Sequence, residues 1–279
     1  MGPLLEFIEI HLHYMQEPPT APPRKRTRLA ALKELRFDQT ASTSGLLDHL
    51  ILPKCTEMVL KGQFTGGGPD YYGYPTPQVH PSSITHLPVM REITKVAAMP
   101  NSCILSGPNG NLRFRCFDES REKFNAEFFT SFSPISTLDI RELWVGPGTG
   151  SYSGPWEQTG PEVRSAFEVL TKVEDLTLVS CKTGLFIATL GTAVESGVLL
   201  PGLRRLAIYV GCGDLDVAAL VRCAKTRKEH SRPFREVNIV FKEVVTTDLI
   251  WGMESLRRSV GKVDHHVGVA PTLIWDGVQ

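Results

Sequence analysis

One spacing recurs along this chain: apolar-x-x-apolar-x-x-apolar-x-apolar. It reads Leu29, Leu32, Leu35, Phe37, and then Leu52, Cys55, Met58, Leu60. It returns as Phe132, Ile135, Leu138, Ile140, as Leu170, Val173, Leu176, Leu178, and as Leu200, Leu203, Leu206, Ile208. A weaker copy puts Ser231 first, before Phe234, Val237 and Ile239, and Leu5, Ile8 and Ile10 close another. Self-similarity of this kind marks architectures whose units bury their apolar sides against one another. Between Leu52 and Phe132 the frame stays open, and Ile93 to Met99 and Leu112 to Cys116 each read as a strand.

The physical content of the pattern is a change of period. The first two apolar positions, three apart, suit a turn or helix end packing inward. The last two, one residue apart, alternate as strand residues do. Asp175-Leu176-Thr177-Leu178, Thr137-Leu138-Asp139-Ile140-Arg141 and Glu34-Leu35-Arg36-Phe37-Asp38 all put apolar residues on one side and polar ones on the other. A parallel sheet buried on both faces would be continuously apolar, so one face is expected to stay open.

The connections read as helices. Asp214 is a candidate cap for a helix striped by Val217, Leu220, Val221 and Ala224. Lys225, Arg227, Lys228 and His230 then fall at its C-terminal end, where the helix dipole favours cations. Pro161 suits the first turn of a helix carrying Val163, Phe167 and Leu170. From Asp248 a further stripe runs through Leu249, Met253, Leu256 and Val260 to a stop at Gly261. Residues 62–83, with Gly66-Gly67-Gly68 and Tyr71, Tyr72 and Tyr74, and residues 146–160, rich in Gly and Pro, read as loop insertions. The predicted fold is α/β: a single domain over residues 1–279 forming an irregular leucine-rich-repeat-type solenoid, with a parallel sheet on one face and helices or coil on the other.

Chemistry is hard to find in the sequence. The 146–160 loop follows a strand and precedes a helix, but Ser151 stands where a dinucleotide fingerprint needs its third Gly, and no Gly-Lys-Ser/Thr follows. The histidine pairs His11/His13, His80/His86 and His265/His266 lack the further ligands zinc requires. No G-x-S-x-G is present, and no Cys has an obvious base. No catalytic residue, cofactor or metal is therefore expected. The 30 basic and 30 acidic residues cancel, which disfavours nucleic acid as a partner. Only Arg24-Lys25-Arg26-Thr27-Arg28 concentrates charge, and it reads as an exposed turn. The six scattered cysteines include no C-x-x-C, and no apolar run suits a bilayer. A cytoplasmic or nuclear protein without membrane contact is expected.

The segments Leu170 to Cys181, Leu199 to Asp214, Arg232 to Phe241 and Ala30 to Phe37 resemble the repeat region of F-box proteins from mushroom-forming fungi. That resemblance implies the substrate-recognition part of a ubiquitin-ligase adaptor, in which a separate F-box binds a Skp1-type adaptor. No F-box opening precedes the Leu4 to Leu12 strand, so Skp1-type adaptor binding is not expected of this chain. The expected function is non-catalytic binding of a protein partner. Its contacts are predicted from polar residues between the leucines: Arg36, Asp139, Thr177 and Asn238, with Arg205 and Tyr209 alongside. The competing readings are a nucleotide-dependent enzyme using the 146–160 loop, or a truncated gene product without function.

Overall fold

A computed structural model describes residues 5–11, 26–38, 47, 49–61, 87–99, 102–115, 129, 138–146, 160–179, 183–195, 197–210, 215–242 and 247–268. The fold is α/β, built on one large and mostly parallel sheet. In chain order its first part comprises β1 (Phe7–His11), β2 (Thr27–Arg28), β3 (Glu34–Asp38), β4 (Leu50–Ile51), β5 (Glu57–Lys61), β6 (Lys95–Met99), β7 (Ser102–Gly107) and β8 (Gly110–Arg115). Then follow β9 (Glu142–Val145), helix α1 (Gly160–Val169), β10 (Asp175–Val179), α2 (Thr183–Leu190), β11 (Ala193–Val194) and β12 (Gly197–Val198). The chain continues through β13 (Arg205–Val210), α3 (Val217–Glu229), β14 (Glu236–Phe241), α4 (Thr247–Arg257) and β15 (Lys262–Val267).

Eleven strands form the main sheet in the order β1-β3-β5-β8-β7-β6-β9-β10-β13-β14-β15. The register carries the apolar pattern straight across it. Leu35, Met58, Leu112, Leu105, Val96, Leu143, Leu176, Leu206 and Val237 occupy one row, each 1% exposed or less. Phe37, Leu60, Phe114, Leu178, Ile208 and Ile239 lie two residues on, facing the same side. Against this inner face pack Val163 and Phe167 of α1, Phe186 of α2, Leu220 of α3 and Met253 of α4, completing one continuous core. Burying a side chain of this size stabilises the fold by roughly 1.5–3 kcal/mol.

The turn before the strand also recurs. Leu32 N–H donates to Leu29 O at 3.4 Å, Cys55 to Leu52 at 3.4 Å, Val173 to Leu170 at 3.2 Å and Leu203 to Leu200 at 2.9 Å. These are the first two apolar positions of the pattern, and their side chains, all buried except the half-buried Leu29, close the edge of the core. Neighbouring turns are tied by shared carbonyls: Arg141 O accepts from Glu174 and Asp175, Glu174 O from Arg204 and Arg205, and Arg204 O from Arg235 and Glu236.

Several expectations need correction. The sheet is not wholly parallel, because β7 runs antiparallel to both β6 and β8. A two-residue turn, Pro108-Asn109, joins β7 to β8, and Gly110 follows at φ 123°. A Cβ on Gly110 would lie 1.9 Å from Thr56 O, so the site is closed to side chains. The strand predicted around Asp139 begins three residues later, at Glu142. Ile140 is the inward turn residue, and Leu143 and Val145 are the core pair. Leu138-Asp139-Ile140 alternates as well as Leu143-Trp144-Val145 flanks do, so period alone placed the frame wrongly. Phe132 and Ile135 lie outside the described residues, as do residues 62–83 and 147–159.

The helices carry their own corrections. Asp216, not Asp214, caps α3 by accepting from Ala219 N–H at 2.8 Å; Asp214 itself is outside the described residues. Arg227 lies in the last turn of α3, as expected, but it faces the interior and is 0% exposed. Its guanidinium donates to Leu199 O at 2.8 Å, Leu200 O at 3.0 Å and Leu203 O at 3.1 Å, and lies 4.9 Å from the centre of the Phe234 ring. Leu200 sits in the left-handed region at φ 46°, and its carbonyl also accepts from Leu203 N–H at 2.9 Å, so the guanidinium joins the main-chain bond of this buried turn. Burial pushes Arg227 down to about 10, still far above neutral, so the buried group keeps its charge. The C-terminus of α3 closes with Ser231 N–H on Lys228 O and Arg232 N–H on Arg227 O, with Ser231 at φ 57° in the place usually taken by glycine.

Candidate functional site

The face turned away from the helices, the outer face, holds the polar residues of each strand. Its middle row reads Glu9, Arg36, Val59, Arg113, Ile104, Ala97, Trp144, Thr177, Ala207, Asn238, Asp264. Arg36, Thr177 and Asn238 thus share one row, Arg36 exposed and the other two half-buried. Arg205 lies in the row on one side and Tyr209 in the row on the other, and both face the same way by strand alternation. Asp139 does not belong to this set. It precedes β9, where Trp144 takes the place in the row, and its carboxylate accepts from Arg141 Nε and Nη2 at 3.0 Å. That guanidinium holds the Asp139 carboxyl below its usual range.

The row beside Arg205 is a ladder of ion pairs between neighbouring strands. Lys95 meets Glu142 at 3.1 Å, Arg205 grips Asp175 through two nitrogens, and Lys262 meets Glu236 at 3.1 Å. Arg141 extends it one step below by pairing with Glu174. Exposed pairs of this kind contribute about 0–1 kcal/mol each, so they fix register and neutralise charge more than they stabilise. On the N-terminal side Arg36 pairs with Glu34 and lies 5.4 Å from the Phe7 ring centre. Glu34 and Glu57 stand directly opposite each other. Burial raises the Glu57 carboxyl, and the Glu34 charge raises it further, against the opposing pull of Arg113 and Arg36.

The middle of the outer face departs from the predicted polar ladder. Ala97, Met99, Ile104, Trp144 and Val179 form a second buried cluster there, with Tyr209 packed against it. Trp144 is 8% exposed, and its indole Nε1 lies out of solvent without a hydrogen-bond partner. Gly146 makes room for that ring, since a Cβ there would come within 2.3 Å of Trp144 Cη2. The first glycine of the predicted loop is thus accounted for by packing. Sequence reasoning missed this cluster, although a signal existed. Val96-Ala97-Ala98-Met99, Cys103-Ile104-Leu105 and Leu143-Trp144-Val145 are unbroken apolar runs, the mark of strands buried on both faces.

Among the described residues, the thiols and imidazoles are not assembled into a reactive group. Burial pushes the Cys55 thiol up to about 11 and Cys223 up to about 12, which suppresses the thiolate that nucleophilic chemistry needs. His265 and His266 are adjacent on β15, so their rings point to opposite faces. Among the described residues, no group of three or more His, Cys, Asp or Glu is placed to hold a metal ion. No described helix is long and apolar enough to cross a membrane. Compared with known proteins, the chain matches no family model, no curated protein and no solved structure.

Proposed function

We propose that this chain is a non-catalytic protein-binding module that engages its partner through the outer face of the sheet. The observation that carries this reading is the surface running from Thr177 through Ala207 to Asn238, flanked by Arg205 and Tyr209. Its side chains stand on a rigid sheet, half-buried or exposed, while the inner face is consumed by the core. The apolar spacing and its recurring turn bond support a solenoid of the leucine-rich-repeat type, whose exposed sheet is the usual contact surface. The resemblance to fungal F-box repeat regions supports a substrate-recognition role within a ubiquitin-ligase adaptor, in the cytoplasm or nucleus. Nucleic acid is disfavoured as partner because the basic side chains of the outer face are largely answered by neighbouring carboxylates.

The test begins with affinity purification and mass spectrometry to identify a partner. Binding of that purified partner is then measured for a variant carrying Thr177→Ala, Arg205→Ala, Tyr209→Ala and Asn238→Ala together. The expected outcome is affinity reduced tenfold or more, about 1.4 kcal/mol, with an almost unchanged melting temperature. Full affinity in the folded variant would move the contact surface off this part of the sheet.

A further inference from the structure

Among the described residues β15 pairs with β14 alone, so its outer side carries no strand. Lys262 N–H donates to Arg235 O and Gly268 N–H to Phe241 O, both at 2.9 Å, so the even-numbered residues turn their main-chain groups inward. By alternation, Val263, His265 and Val267 turn theirs outward. Such edges are usually blunted by Pro, a bulge or a free Lys. The one lysine of β15 is instead tied to Glu236 and Asp264, and Val267 stands 53% exposed.

We propose that β15 is a self-complementary edge that pairs antiparallel with β15 of a second copy, about a two-fold axis through His265 normal to the sheet. Only an axis centred on a residue keeps every side chain on its own face of the joined sheet. Centring on His265 sets Val263 opposite the partner's Val267 on the helix side and Asp264 opposite the partner's His266 on the outer face. Each contact occurs twice by symmetry. The outward groups of Val263, His265 and Val267 then close about six main-chain hydrogen bonds, with the Asp264–His266 pairs at the positions where side chains approach most closely. A histidine ring N–H donates to a carboxylate in either charge state of the ring. Centring one residue earlier opposes Asp264 to its own copy and Lys262 to His266; centring one later leaves Asp264 facing Gly268. Charge therefore selects the register.

The experiment is analytical ultracentrifugation of the full chain from about 1 to 200 µM, because one paired strand buries less than a standard interface. A monomer–dimer equilibrium is expected, with Val267→Lys and Asp264→Lys each raising the dissociation constant at least about tenfold at unchanged melting temperature. Combining Asp264→Lys with His266→Glu re-forms an opposite-charge pair and restores the dimer. A monomer at every concentration overturns the proposal, as does a dimer indifferent to Val267→Lys or a folded charge-reversed variant that stays monomeric. Larger open-ended species would point to β15 meeting β1 of the next copy, and would overturn it equally.

Discussion

Strands β10, β13 and β14 bury their inner rows and leave most of their outer positions open, Val179 and Val240 excepted, whereas the central strands β6 and β7 are buried on both faces. In the first group Leu176, Ile208 and Val237 are 1% exposed or less, while Thr177, Ala207 and Asn238 remain half-buried. In the second, Val96 and Ala97 are both 0% exposed, and Ile104 and Leu105 are 1% and 0%. Both groups obey one register, so the difference comes from side chains alone. Alternating sequence leaves a strand free to present polar groups; an unbroken apolar run commits it to packing on both sides. The helix-backed strands therefore leave outer positions open, which the proposed binding role requires, and the central strands do not.

The largest effect is expected where α3 is latched to the turn before β13. Arg227→Ala takes the side-chain donor from Leu199 O and Leu203 O, leaves Leu200 O with Leu203 N–H alone, and should cost about 3–5 kcal/mol in urea unfolding, whereas the exposed Arg36→Ala should cost about 0.5 kcal/mol or less. Equal losses would erase the contrast between the latched helix side and the exposed outer row. At the boundary between the two groups, Gly146→Ala drives a methyl into the Trp144 ring and should cost about 1–3 kcal/mol, as overpacking does. A blue-to-red shift in tryptophan emission should accompany it. An unchanged variant would mean that the central outer cluster is loose, not packed.

The smallest expected effect has the opposite sign and lies near the N-terminal end of the sheet. A carboxyl whose folded pKa is raised binds its proton more tightly in the native state, so ionising it as pH climbs through the carboxylate range costs stability. Glu57 is such a group. Glu57→Gln should raise the melting temperature slightly at neutral pH, and the gain should shrink to nothing as acid protonates the native residue. A variant less stable than the parent at neutral pH would assign Glu57 a net favourable partnership with Arg36 and Arg113.

The inner rows were legible in the sequence because each strand repeats the same apolar positions: Leu35 and Phe37, Met58 and Leu60, Leu176 and Leu178, Leu206 and Ile208. The frame holding β6, Met90, Ile93, Val96 and Ala98, was obscured by the apolar residues that fill the positions between. The β7–β8 hairpin was overlooked although Asn109-Gly110 is a turn signal in its own right. Helix α2 was missed because Gly184, Ile187 and Thr189 have modest helical propensity, and tertiary burial of Phe186, Ile187 and Leu190 holds it instead. Of the predicted contact residues, Arg36, Thr177, Arg205, Tyr209 and Asn238 were placed on the outer face by alternation. Asp139 was displaced by the misread frame of β9. No local pattern announces Arg227, because a buried guanidinium is explained only by carbonyls contributed from a distant turn.

The common register has a consequence for how such a chain can vary. Core and outer surface are separated by parity alone, so a single-residue insertion or deletion inside any strand would exchange the two. Heritable changes in length are thereby confined to the connections between strands. Point changes at Thr177, Ala207 or Asn238 leave Leu176, Leu206 and Val237 where they were. The outer rows can be rewritten one position at a time while the rows beneath them keep their text.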